Sequence, residues 1–189
     1  MELLTRFLPK LLNSEVDEYL KSNDIIIVPV GTVEMHGGLP LDSETVISEA
    51  FALKMAEACD GLVVGTPVYY ASANATLVAF LNRLFYSTHF DKTMKVGAAV
   101  AAARRGGLSS TFDELNKFFT ISGMPVASSQ YWNSIHGRGN GEAEMDEEGR
   151  QTMRVLARNM SFLMKSIALG KEKFGMPVQE THVFTNFIR

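Results

Sequence analysis

Two short runs in this sequence combine side chains that can do chemistry. The first is Gly65-Thr66-Pro67-Val68-Tyr69-Tyr70-Ala71-Ser72-Ala73-Asn74. A proline beside two tyrosines offers the flat apolar surface on which a polarisable ring stacks, with backbone groups along the ring's edge. The bland alternative is a turn rimmed by surface aromatics. Arg104-Arg105-Gly106-Gly107, a basic pair before two glycines, and the aromatic pair Tyr131-Trp132 follow further along. Taken alone, the first is an ordinary solvated turn, and the second either flanks a ring or caps a core. The second run, Gly31-Thr32-Val33-Glu34-Met35-His36-Gly37-Gly38, sets a carboxylate two residues before an imidazole, with Asp42 and Glu44 close behind.

The surrounding pattern says what must position these residues. Ile25 to Val30, Leu62 to Val64, Val96 to Ala101 and Met124 to Ala127 read as buried strands. Between them lie stretches with helical period. Val46, Ile47, Ala50 and Leu53 mark a helix from about Asp42 or Ser43 to Cys59, and Leu77, Phe80, Leu81 and Leu84 mark another. Phe112, Leu115, Phe118 and Phe119 form a third stripe. Leu156, Met160, Leu163 and Ile167 form a last, long one, opened by the acidic run Glu142 to Glu148. Strands alternating with helices predict a parallel sheet of four to five strands covered on both faces, a three-layer α/β/α sandwich. Ligands of such sheets lie beyond the carboxyl ends of the strands. That edge corresponds to loops 31–42, 65–74, 102–108 and 131–141. The acidic run reads as a solvated helix start.

Composition narrows the classes. The chain has 189 residues and a net charge of −3, which gives no reason to expect nucleic acid or an anionic membrane as partner. No apolar run approaches the roughly 20 residues that span a bilayer, and the N-terminus lacks a signal-peptide pattern, so a soluble, cytoplasmic protein is expected. The single cysteine, Cys59, excludes an internal disulfide and a thiolate cage, and hence an iron–sulfur cluster held by this chain. From Phe174 to Arg189 the apolar residues lose their period. This tail is expected to be an arm packed on its own or a neighbouring subunit, and the protein to be a homo-oligomer.

From about residue 60 to 168 the chain resembles the flavodoxin-like NAD(P)H-dependent FMN reductases and iron–sulfur flavoproteins. The resemblance runs from the Thr66-Pro67-Val68-Tyr69-Tyr70 signature through Lys95 and Arg104-Arg105-Gly106-Gly107 to Gly141–Gly149. It implies FMN as cofactor, NAD(P)H as electron donor and a flavin oxidoreductase. It places Thr66, Pro67, Val68, Tyr69, Tyr70 and Ser72 against the isoalloxazine ring. Arg104, Arg105 and Gly106 would lie near its pyrimidine side, where a cation or amide stabilises the charge of the reduced ring. No catalytic residue is singled out.

Residues 5 to 60 resemble the opening of the creatininase family of metal-dependent amidohydrolases, on the strength of Glu34 and His36. The resemblance makes Glu34, His36 and Glu44, with Asp42 as an alternative to Glu44, a remnant of a two-metal centre. The further histidine and the downstream ligands have no counterpart, so a bound metal is not expected. The two resemblances together predict one domain over 1–189. It would comprise a creatininase-like β-α segment (1–60), a flavodoxin-like segment (61–168) and a C-terminal arm (169–189). Such a hybrid lacks the Ser/Thr/Gly-rich loop that cradles the FMN phosphate and offers carboxylates instead. One unpaired carboxylate within ~5 Å of a phosphate costs on the order of 1–3 kcal/mol, which predicts a weakened flavin site. A folded chimeric scaffold without activity and a metal-dependent amidohydrolase are the alternative functions.

Overall fold

The computed structural model describes residues 26–27, 59–139 and 141–187. Four parallel strands lie in the order β1 (Ile26–Ile27), β2 (Gly61–Tyr69), β4 (Val96–Ala103), β5 (Ser134–His136), and a short β3 (Ser72–Ala73) returns antiparallel to β2. β1 falls within the first expected strand and pairs with Leu62 and Val63. The helix expected from residue 42 or 43, the 31–42 loop, and Glu34, His36, Asp42 and Glu44 lie outside the described residues.

β2 and β4 form the backbone of the sheet, in register from Gly61↔Val96 to Pro67↔Ala102. Alternation then sends successive side chains to opposite layers. On one face Val64 and Ala99 pack with Leu77, Leu81 and Leu84 of helix α1 (Ala75–Ser87) and with Leu115 and Phe119 of α2 (Leu108–Ile121). On the other, Val96, Ala98 and Ala127 pack against Leu156, Met160 and Met164 of α4 (Glu147–Phe174). The small residues of β4 let the layers approach closely. A Cβ on Gly97 would lie 2.4 Å from the ring of the fully buried Phe119. The result is the expected flavodoxin-like α/β/α arrangement.

Several boundaries differ from expectation, each for a local reason. β2 runs to Tyr69, so the 65–74 segment is mostly strand and hairpin rather than loop. The expected strand Met124–Ala127 shrinks to a single parallel bridge between Val126 and Gly97. The chain then leaves the sheet and returns as β5. Asn133 ties the ends of this excursion together: its buried side-chain amide nitrogen donates to Ala127 O at 3.5 Å, and its backbone carbonyl accepts from Ala101 N at 3.0 Å. Tyr131 and Trp132, on that excursion, contact each other at 5.2 Å and are half exposed, so they do not cap the core.

The acidic run divides into a single turn, α3 (Glu142–Met145), and the start of α4, with Asp146 between them capping Gly149 N at 2.9 Å. Helix α4 passes through Gly170 and stops at Gly175, whose positive φ of 76° suits glycine. The tail that follows has neither helix nor strand over 175–187. Its Val178, Val183, Phe184 and Phe187 are almost wholly exposed, so it does not pack on its own subunit. An unperiodic apolar sequence of this length has no helical face with which to dock. Among the described residues no helix is long and apolar enough to cross a membrane.

Candidate functional site

The carboxyl ends of β2, β4 and β5 finish in one row, because Pro67 pairs with Ala102, and Ala102 and Ala103 pair with Ile135 and His136. At a strand spacing of about 4.8 Å, the three ends span roughly the length of a tricyclic ring.

The first wall of this edge is the β2–β3 hairpin. Tyr69 pairs with Ser72, which leaves Tyr70 and Ala71 as a two-residue connection with φ of 52° and 61°. Two positive φ values match a type I′ turn, a position that glycine or asparagine ordinarily takes. Holding two ordinary residues there costs roughly 1–3 kcal/mol each unless neighbours over-determine the turn, and here they do. The Glu114 carboxylate accepts from Ser72 Oγ and from Ala73 N, both at 2.8 Å. Ser110 Oγ donates to Ala71 O at 2.7 Å, and Asn74 N donates to the buried Thr66 Oγ1 at 3.0 Å. Gly107 closes the seam, since a Cβ there would fall 2.8 Å from Ala71 Cα. Thus α2 clamps the hairpin from below, and the turn presents Tyr70 wholly to solvent with Tyr69 half exposed.

The second wall follows β4. Arg104, Arg105 and Gly106 form an exposed bend between Ala103 and the left-handed Gly107 that starts α2. Of the expected ring-binding residues, Pro67, Val68, Tyr69, Tyr70, Arg104, Arg105 and Gly106 meet at this one edge. Thr66 and Ser72 belong to it differently, because the Thr66 hydroxyl is engaged by Pro67 O and Asn74 N and the Ser72 hydroxyl by Glu114 of α2.

The third wall lies in the expected 131–141 loop, where no site residue was singled out. After β5, Gly137-Arg138-Gly139 is held by two carboxylates. Glu142 accepts from Arg138 N at 2.7 Å, and Asp146 accepts from His136 N at 2.6 Å. Backbone amides lower both acids' pKa values: Gly139 and then Arg138 act on Glu142, Gly149 and then His136 on Asp146. The Asp146 carboxylate also lies 3.6 Å from His136 Nδ1. Glu114, Ser110 and His136 drew no functional reading from the sequence, because each acts through a partner distant in the chain, and Asp146 stood out only within the acidic run. Among the described residues no three metal-ligating side chains converge.

Residues 21–139 match the family model described as NADPH-dependent FMN reductase. The chain belongs to that family. The match takes in all three walls up to Gly139, and also most of the segment that resembles creatininase.

Two curated relatives are similar to the chain. An iron-sulfur flavoprotein from Methanocaldococcus jannaschii is 31% identical over 123 residues, which cover 61% of this chain and 64% of the relative. An iron-sulfur flavoprotein from Methanosarcina thermophila is 31% identical over 120 residues, 61% of this chain and 62% of its own length. The chain therefore spans slightly under two thirds of the length of these curated relatives. Among solved structures, RosB with bound 8-demethyl-8-formylriboflavin-5'-phosphate superposes with a TM-score of 0.51 at 15% identity, over 78% of this chain and 70% of that one. At that identity the likeness concerns the fold.

Proposed function

We propose that the protein binds FMN at the carboxyl edge of its sheet and acts as a flavin oxidoreductase with a reduced nicotinamide as electron donor. The observation that carries this reading is the clamped Tyr69–Tyr70 hairpin facing the Arg104–Gly106 bend, within a chain that matches the FMN reductase family. The residues fit the group. An aromatic surface held in a strained turn suits a flat ring, and guanidinium groups with exposed backbone suit its electron-rich edge. Bound FMN would supply the hydride and electron chemistry that no side chain of this protein provides. Tyr69 and Tyr70 then supply ring surface, Pro67 and Val68 the floor at the strand end, and Arg104 and Arg105 positive charge. Thr66, Ser72, Glu114 and Ser110 hold the hairpin in the shape that does this.

The test is a titration of the apoprotein with FMN, followed by quenching of flavin fluorescence. Saturable binding is expected, and its absence up to roughly 1 mM FMN would overturn the reading.

A finer reading concerns residues 1–60. The Glu34-Met35-His36 run supports a segment of creatininase type joined to the flavin-binding part in one domain, with carboxylates where an FMN phosphate would sit. On that reading FMN and riboflavin differ in affinity by less than about tenfold, or ~1.4 kcal/mol. A thousandfold preference for FMN would remove it. The exposed apolar tail supports a homo-oligomer, which light scattering on the full chain measures directly.

A further inference from the structure

The third wall holds a constellation that the flavin reading does not use. His136 stands at the last position of β5, one strand from Ala103 and the Arg104–Gly106 bend. Its imidazole is half exposed, and the Asp146 carboxylate lies on its Nδ1 side at 3.6 Å. Asp146 is itself fixed on both oxygens: Oδ1 accepts from Gly149 N at 2.9 Å and Oδ2 from His136 N at 2.6 Å. The carboxylate is thus tied to the start of α4 and to β5, and its neighbours keep it charged. A carboxylate so placed favours a proton on Nδ1, which leaves Nε2 for a partner. The 3.6 Å separation is slightly beyond a hydrogen bond, as catalytic pairs commonly are before ligand binds.

We propose that His136 is the proton donor to a two-electron acceptor reduced at the flavin site, and that Asp146 positions it. The proposal rests on the flavin reading. The chemistry balances. A quinone becomes a quinol when one carbonyl oxygen takes a hydride, two electrons and a proton, from the reduced flavin and the other oxygen takes a proton. The doubly protonated His136 ring supplies that second proton from Nε2, and the neutral ring left behind, with its proton on Nδ1, regains one from solvent. A one-electron acceptor such as ferricyanide needs no such proton, so it separates the two roles.

The first measurement needs no cofactor. Nitrogen-15 spectra of the apoprotein should show neutral His136 as the Nδ1–H tautomer, shifting towards the Nε2–H form in Asp146→Asn. An Nε2–H tautomer in the unsubstituted protein overturns the pairing. The second measurement uses the FMN-loaded protein with a reduced nicotinamide. In His136→Gln the ratio of quinone to ferricyanide turnover should fall by roughly 10²- to 10⁴-fold, and in Asp146→Asn by less. An unchanged ratio in His136→Gln, with FMN still bound, overturns the proposal while the flavin reading stands. Failure of the unsubstituted protein to bind FMN overturns both.

Discussion

The two ends of the sheet are finished in opposite ways. At the amino end, Cys59, Gly61, Leu62, Phe85, Phe90 and Met124 close around Lys92 and Lys95. The Lys92 ammonium sits 4.0 Å above the Phe90 ring and donates to Phe90 O and Thr88 O. Lys95 Nζ donates to Cys59 O at 2.6 Å. The charged groups there are used internally, and burial dominates: it pushes the Cys59 thiol pKa up to about 11. At the carboxyl end Tyr69, Tyr70, Arg104, Arg105, His136 and Arg138 all face outward. Their carboxylate neighbours Glu114, Glu142 and Asp146 accept hydrogen bonds mainly from backbone amides, which shapes the loops. The difference teaches that polarity alone does not mark a site. What marks it is polar and aromatic groups that the fold fixes in place without covering.

If that division is right, substitutions in the interior should change stability without touching the ligand, and those at the carboxyl edge the reverse. The largest effect is expected from Phe119→Ala, which empties the pocket over Gly97. It should lower the unfolding free energy by about 3–5 kcal/mol in denaturant melts, while FMN affinity measured below the transition stays unchanged. Next comes Cys59. A thiol moved from 9.0 to about 11, a difference of 2, carries about a hundredfold less thiolate at pH 8 than an ordinary one. Alkylation should therefore be at least that much slower in the folded protein than in denaturant, and equal rates would show the amino end to be open.

Replacing both Tyr69 and Tyr70 by Ala should weaken FMN binding by roughly 1–3 kcal/mol and leave thermal stability within about 0.5 kcal/mol. Unaltered FMN affinity would remove the hairpin from the site. The smallest effect is expected from Glu114→Gln, which replaces the charged oxygen that serves both Ser72 Oγ and Ala73 N by a neutral amide oxygen. The loosened turn should weaken FMN by about 1 kcal/mol. A loss larger than that of the tyrosine pair would mean Glu114 touches the ligand itself.

Much of the layered fold could be read along the chain, since burial on two faces writes itself as periodicity. Leu115 and Phe119, and Leu156 and Met160, fall where their stripes put them. The parts that escaped are those in which spacing carries no signal. β5 is three residues long, too short for alternation to register. Gly65 and Pro67 made the second half of β2 look like a loop, although Pro67 sits near the end of its pairing with β4, where a missing donor costs little. Tyr69, Tyr70, Arg104 and Arg105 were legible as types. The clamp and the His136–Asp146 pair arise from contacts across 10 to 42 residues of sequence, which no local pattern encodes.

The break in the outer strand also bears on how the protein behaves when crowded. An exposed strand edge is a template on which a second chain can lay its own backbone, and long, flat edges seed aggregates. Here that row of donors and acceptors is divided. Val126 makes one bridge, Ser128 O is taken by Asn159 Nδ2 at 2.8 Å, and the chain then swings out before Ser134 resumes the sheet. A stray strand arriving at β5 finds three residues in register and then no continuation. The excursion at 128–133 thus guards the edge against intermolecular pairing while it aims the end of β5 at the proposed site.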